Sequence, residues 1–556
     1  MFQLPPRAGP DAVELARKLG LTPTAATVLL ARGLRDAEAS TKFLDPRLAD
    51  LTPPGSMKDR SLAVGRIARA VKAGERVCVF GDYDADGVTA AALMTGVLRA
   101  LGAQVVTLLA DRFDGGYGLS DRALERVLET GATVLVTCDC GSTDHERLER
   151  ARRAGVDAVV IDHHRVPAEP LPAFAFLNPH RPECGFGYKG LASVGLALSV
   201  SAGVRAELGV NLDMRPWLDL VAIGTIGDVA PLDGDNRALV RAGLAIASRG
   251  TRPGTRALAE IAGFSASSLT GEDVSFRLAP RINAPGRLGK PDLALELLLA
   301  TSDADARRIA ADVEVACTKR KEVERAVVAD AVAMLSDPAL ASLPAIVLAR
   351  EGWHPGVVGI VAGRLASRFR KPTIIIALDG ARGRGSARCP AGFSVYDALE
   401  SARAELIAFG GHHAAAGVEI AADRVDAFRD QFCQACLQAG VPDAGPRVDA
   451  DAILEPGDRP ERVARDLERF EPCGQANAPP RIAIERARVL ESRELTGGHM
   501  RLSIDVGGVR VSCFGAEMGG LLAGLGSHVR AMGSLRRDAW RGGDAAEMRL
   551  AAVEPA

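Results

Sequence analysis

The sequence predicts an α/β chain: a parallel doubly wound sheet, a long connecting helix, a second α/β unit and a small β-barrel. Three observations predict it. Across residues 76–164, short apolar runs alternate with helix-like segments, the βαβ pattern that builds a parallel sheet. Residues 302–335 contain neither Pro nor Gly and mix both charges after a capping Ser302, as one long helix does, or two in line. From residue 446 onward, short alternating stretches such as "RLSIDVGGVRVSCF" read as strands of a barrel. A chain of 556 residues, 47% hydrophobic, can bury several cores.

Taken in order, residues 77–80 form a strand, 89–100 a helix and 104–109 a strand. Ser120 caps a helix through 128, followed by a strand at 134–138, a helix at 145–154 and a strand at 158–161. Pro216 opens a helix through 226 that ends in "GDVAPL". The second α/β unit reads as strand 345–348, helix 357–369, strand 373–377, a Gly/Arg-rich turn, helix 395–408, and then "FGGHHAAAG". Pro442, Gly445 and Pro446 mark a linker. The expected division is an N-terminal helical segment (1–50), a catalytic domain (51–300), a connecting helix (301–340), the second α/β domain (341–443) and the barrel (444–556).

Composition narrows the function. Lys plus Arg number 68 against 70 acids, a net charge of −2, so a nucleic-acid partner must be met by a local basic patch. Ten scattered cysteines read as reduced thiols. The single CxxC, Cys433 to Cys436, lies in a helix-like segment and reads as packing rather than a zinc site. "MFQLPPRAGP" has no signal-peptide character, and no apolar run approaches the roughly 20 residues that span a bilayer. A soluble cytoplasmic protein without a membrane partner is expected.

"VFGDYDADG" crowds Asp82, Asp84 and Asp86 directly after an apolar strand. An EF-hand is excluded, because its twelfth position is Leu93 and a strand precedes it. A turn with solvated acids stays open on this segment alone. A metal site at a strand end predicts more: ligands of an open α/β sheet gather beyond the carboxyl ends of its strands. "VLVTCDCG" delivers Asp139 there, "AVVIDHH" delivers Asp162, His163 and His164, and "IGDVAPL" adds Asp228. Cys138 and Cys140 read as packing residues on the face opposite Asp139. Strands lie only about 5 Å apart, so these carboxylates could not all stay ionised without cations. Oxygen and nitrogen ligands without thiolate suit Mn²⁺ or Mg²⁺, and a two-metal site suits phosphoester hydrolysis.

These stretches resemble, in order, four motifs of the DHH phosphoesterase superfamily, and within it the bacterial RecJ exonucleases. "FRLAPRINAPGRLG", "WHPGVVGIVAGRLASRF", "FGGHHAAAG" and "EPCGQANAPP" are similar to that family's further signatures, from about Phe43 to the end of the barrel region. The resemblance implies a DHH catalytic domain, a DHH-associated domain and an oligonucleotide-binding (OB) barrel. It implies one ion on Asp82 and Asp84 and another on Asp86, His163 and Asp228, with Asp139 bridging. His164 would sit beside the scissile phosphate, and Asp162 would orient the histidines. Implied too are 5′-to-3′ hydrolysis of single-stranded DNA to 5′-mononucleotides in repair and recombination, by a monomer partnered by a single-strand-binding protein and a helicase. "GSTDH" after Asp139 and the second His of "GGHHAAAG" depart from the family pattern.

Candidate substrate contacts are Arg281, Asn283 and Arg287 in a "RINAPGR" loop, Arg112 and Tyr117 in "RFDGGYGL", Ser386 and Arg388 in "DGARGRGSAR", and His412. Guanidiniums bind phosphate in bidentate fashion, and Tyr can stack on a base. Ordinary surface arginine is the structural alternative. Two other functions share the residues: a DHH-type oligoribonuclease or cyclic-dinucleotide phosphodiesterase, and a non-catalytic single-strand-binding scaffold. The long helix and barrel argue against the first, and the intact ligand set against the second.

Overall fold

The structure, a computed structural model, describes residues 2–113, 117–264, 269–441, 449–538 and 545–556. The expected linker residues Pro442, Gly445 and Pro446 lie outside the described residues. The chain divides into two compact units, one of residues 1–109, 118–279 and 448–556, the other of residues 110–117 and 280–447.

In the first unit, β1 (Arg76–Gly81), β2 (Gln104–Leu109), β3 (Val134–Cys138), β4 (Asp157–Ile161) and β5 (Ala175–Leu177) form a parallel sheet in the order β2-β1-β3-β4-β5. Helices cover both faces of such a sheet, so its strands read as continuous apolar runs. Val77, Cys78, Val79 and Phe80 are accordingly all buried. The connections diverge at β1 and β3, which is the switch point where open α/β sheets bind their ligands. The first helix starts at Ala85 rather than at 89, because the Asp84 carboxylate accepts from the N–H groups of Asp86 and Gly87 and caps it. The segment expected to be helical from Pro216 begins instead as a 3₁₀ turn, Arg215–Trp217, and continues as the helix Leu218–Gly227.

The second unit holds a mixed sheet of β6 (Ile346–Glu351), β7 (Thr373–Asp379), β8 (Arg382–Arg388), β9 (Ala408–Gly411) and β10 (Ala415–Ala421), in the order β6-β7-β8-β10-β9. Only β6 and β7 run parallel; the other pairings are antiparallel. Two expectations are corrected here. The Gly/Arg-rich stretch is strand β8, not a turn, and the helix expected over 395–408 stops at Ser401, so that "FGGHHAAAG" becomes the β9–β10 hairpin. Residues 303–334 form one continuous helix, Asp303–Met334, about 48 Å long, whose Val327 and Ala331 pack with Ile346, Leu348 and Val361. Cys433 and Cys436 are buried beside Phe428 and Phe432 on the helix Val425–Ala439.

The barrel belongs to the first unit: β11 (Ala452–Ile453), β12 (Ile482–Leu495), β13 (His499–Val506), β14 (Val509–Gly515), β15 (His528–Arg537) and β16 (Ala546–Pro555). Strands β12-β13-β14-β16-β15 close through a β12–β15 pairing, which removes the exposed edges an open sheet would leave. Its core is shared with the N-terminal helices: Leu15, Leu29 and Leu44 are buried with Phe470, Ile482, Met500 and Val529. No helix among the described residues is long and apolar enough to cross a membrane.

Candidate metal centre and substrate contacts

The parallel register assembles the acidic cluster. Gly81 pairs with Cys138, and Cys138 with Ile161, so the next residue of each strand is Asp82, Asp139 and Asp162. The ladder continues across them: Asp82 N–H donates to the Cys138 carbonyl, Asp139 N–H to Ile161 and Asp162 N–H to Leu177. β3 ends at Cys138, and Asp139 takes a left-handed φ of 65°. The Asp139 carboxylate is therefore aimed by a turn. The strand alternation expected from Cys138 and Cys140 is not what directs it, although both thiols are buried.

Asp86 and Asp228 arrive on helices. Asp86 sits in the first turn of Ala85–Ala100, where Gly87 allows the backbone of Asp82 to approach; a Cβ on Gly87 would lie 2.6 Å from the Asp82 carbonyl oxygen. Both oxygens of Asp86 accept from a second helix N-terminus, from Ser193 N–H at 2.7 Å and Val194 N–H at 2.9 Å. Ser193 Oγ also donates to Asp139 Oδ1 at 3.1 Å. Asp228 follows the helix Leu218–Gly227, which can lie against Asp86 because a Cβ on Gly224 would meet Thr89 Oγ1 at 2.2 Å and Asp86 Oδ1 at 3.1 Å. Ser193 and Val194 were missed in the sequence. Their N–H donors carry no side-chain signature; the helix start in "LASVGLALS" is the signal that could have found them.

Among the described residues three ligand groups result: Asp82, Asp84 and Asp139; Asp86, His163 and Asp228; and Asp139, His163 and His164, with the ligand atoms of each within 4.8 Å of one another. His163 Nε2 is buried and makes no hydrogen bond among the described residues, yet it lies 3.3 Å from Asp139, 3.7 Å from Asp228 and 3.8 Å from Asp86. Its partner, His164, holds Asp162 through Nδ1 at 2.7 Å, while Asp162 accepts from the N–H groups of His163 and Ser142.

The electrostatics describe a site short of positive charge. Burial, then the charge of Asp84, pushes Asp86 up to about 7. Burial and then Asp86 push Asp228 up to about 9, and Asp139 rises well above the carboxylate range by burial and then by Asp84. Burial and the neighbouring His164 bring His163 down to about 4, the neutral form a metal requires. Burial alone would lower His164, but its bond to Asp162 carries it up to about 9. Asp162, raised by burial and lowered more by His164, falls to about 2. An unbonded imidazole nitrogen facing carboxylates that repel one another is the donor set a hard divalent cation fits.

The second unit brings together some of the expected substrate contacts. Arg388 Nη1 donates to Ser386 Oγ at 2.9 Å, and burial followed by repulsion from Arg112 lowers the Arg388 guanidinium, despite an opposing push from Cys389. A Cβ on Gly359, in the first turn of the helix Val358–Phe369, would lie 3.1 Å from Ser386 Oγ and 3.3 Å from Arg388 Nη2. Tyr117 is exposed, as is His412 at the β9–β10 turn. The "RINAPGR" loop is corrected: it is the helix Ala279–Arg287, with Pro285 inside it. Arg281 pairs with Glu314 at 2.6 Å, Arg287 donates to the Gly356 carbonyl at 3.2 Å, and the buried Asn283 Oδ1 has no hydrogen-bond partner among the described residues.

The comparisons with known proteins follow this layout. Residues 76–225 match the DHH family N-terminal domain, 342–438 the DHHA1 domain and 450–552 the RecJ OB domain. The acid-lined switch point and these matches define a DHH-type phosphoesterase carrying an OB barrel. Single-stranded-DNA-specific exonuclease RecJ of Escherichia coli is 33% identical, with 88% of each chain covered. RecJ of Bacillus subtilis is 33% identical over 95% of this chain and 67% of its own length. The crystal structure of Thermus thermophilus RecJ in complex with Mn²⁺ superposes with a TM-score of 0.84 at 33% identity, covering all of this chain and 78% of that one. The same protein in complex with Mg²⁺ gives 0.78 at 31% identity, covering all of this chain and 77% of that one. The chain belongs to the RecJ family.

Proposed function

We propose that the chain is a single-stranded-DNA-specific exonuclease that hydrolyses phosphodiesters from the 5′ end and releases 5′-mononucleotides, in DNA repair and recombination. The carrying observation is the register-aligned ladder Asp82, Asp139 and Asp162, closed by His163 Nε2 within 3.3–3.8 Å of three carboxylates. Asp82 and Asp84 hold one divalent cation, Asp86, His163 and Asp228 a second, and Asp139 serves both; Mn²⁺ or Mg²⁺ suits these oxygen and nitrogen donors. Cations there supply the charge that orients a phosphodiester and acidifies the attacking water. The helix N-terminus at Ser193 and Val194 fixes the Asp86 carboxylate, and Asp162 fixes His164 with its proton on the ring, where it can face a phosphate oxygen. Ser386, Arg388 and Arg112 bind the nucleic-acid backbone, with Tyr117 as a stacking platform and His412, Asn283 and Arg287 as lesser contacts. Arg281, paired with Glu314, is the weakest member of that set.

This reading includes the domain division at 51–300, 301–340, 341–443 and 444–556, with the N-terminal segment packed on the barrel core. It also includes a monomer in the cytoplasm working with a single-strand-binding protein and a helicase. Digestion of 5′- and 3′-labelled oligonucleotides with Mn²⁺ tests it. Early release of labelled mononucleotide from the 5′-labelled strand alone is expected; preference for a dinucleotide over a long strand overturns it.

A further inference from the structure

Directly after Asp228 the backbone does something the fold does not require. The helix Leu218–Gly227 ends in a Schellman arrangement: Val229 N–H donates to the Ile226 carbonyl at 3.1 Å and Ala230 N–H to Thr225 at 3.1 Å. The residue at the turn of such a motif is left-handed and is normally Gly or Asn. Here it is Val229, at a φ of 63°. A β-branched side chain in that region is an outlier, because its Cβ substituents crowd the backbone. Burial does not compensate, since Val229 is 64% exposed, among the most exposed large apolar residues described. The same turn with glycine would satisfy every hydrogen bond and relieve the strain.

What the side chain does have is position. It is one peptide from Asp228, whose carboxylate lies 3.7 Å from His163 Nε2, so the residue that carries this open isopropyl group directly follows a member of the acid cluster. Strain retained at such a place points to use. We infer that Val229 is a substrate-contact residue, an apolar wall against which the nucleoside flanking the scissile phosphate rests. This inference depends on the nuclease reading proposed above. The wall limits the sideways freedom of a flexible strand whose phosphate is held by charge, and it shields the reacting centre from bulk water.

Two substitutions separate strain from contact. Val229→Gly removes both, whereas Val229→Ala keeps a Cβ but removes the branched methyls. The full-length protein is compared with each variant in three measurements: melting temperature in EDTA, Mn²⁺ affinity by titration calorimetry, and steady-state digestion of a 5′-labelled single strand. Val229→Gly is expected to melt about 2 °C higher. Both variants are expected to lose about tenfold in kcat/KM, chiefly through KM, with Mn²⁺ affinity unchanged. A lower melting temperature for Val229→Gly overturns the inference, because the side chain then stabilises the fold. Wild-type KM and kcat in both variants overturn it as well. A wild-type protein that does not digest the strand overturns the functional reading, and this inference with it; an active wild type with unaffected variants overturns this inference alone.

Discussion

The two open sheets of the molecule organise charge in opposite ways. In the first, all strands run parallel, so their carboxyl ends share one edge and one acid per strand produces a cluster: Asp82, Asp139 and Asp162 stand side by side. In the second, β8 lies between antiparallel neighbours, and its polar residues are distributed along a face instead. Arg382, Arg384, Ser386 and Arg388 occupy alternate positions, while Gly383, Gly385 and Ala387 take the other parity against Ile376, Leu378 and Val418. A parallel edge concentrates like charge until cations are needed to hold it. An antiparallel face spaces charge along the strand instead.

The largest effect should come from removing the shared acid. Asp139→Ala is expected to lower nuclease turnover by about three orders of magnitude or more, with single-strand binding by fluorescence anisotropy still measurable. Unchanged turnover would mean that the parallel edge is not the reacting centre. On the second sheet, Arg388→Ala should raise KM about tenfold and reduce the salt slope of binding by about one. Arg287→Ala should do less, since its guanidinium already donates to Gly356. Equal effects from both would erase the distinction drawn for β8.

A smaller, thermodynamic effect follows from the crowded acids. Asp86, Asp139 and Asp228 are raised by burial and mutual repulsion, and His164 is raised by Asp162, so the folded chain holds protons that the unfolded chain has released. Stability without metal therefore falls as pH rises from about 6.5 to about 9. His163 is neutral in the folded chain and half protonated in the unfolded chain at pH 6.5, so it opposes the trend only at the lower end of that window. Melting temperature in EDTA should drop across this range. Mn²⁺ at a hundred times its dissociation constant should add about 2.7 kcal/mol of stability per site. A flat pH profile in EDTA would contradict the electrostatic account.

The acidic edge was legible because strand ends and metal-type residues coincide in the sequence: each of "FGDYDADG", "TCDCG" and "VIDHH" carries its own strand before its acid. The anchors of Asp86 were not, because backbone N–H groups of Ser193 and Val194 leave no residue-type trace. β8 was misread for a different reason. Its inward positions are Gly and Ala, so the alternation of a strand looked like the composition of a turn. "RINAPGR" was misread through its Pro and Gly, which the helix Ala279–Arg287 accommodates. The pairing of Arg281 with Glu314, 33 residues away, was not legible, because nothing local in the sequence reveals it.

Anomalous diffraction at the manganese edge, from crystals grown with Mn²⁺, tests the central claim most directly. Two peaks about 3.5–4 Å apart are expected, one among Asp82, Asp84 and Asp139, the other among Asp86, His163 and Asp228. Well-ordered crystals with no anomalous density among these residues would contradict the account.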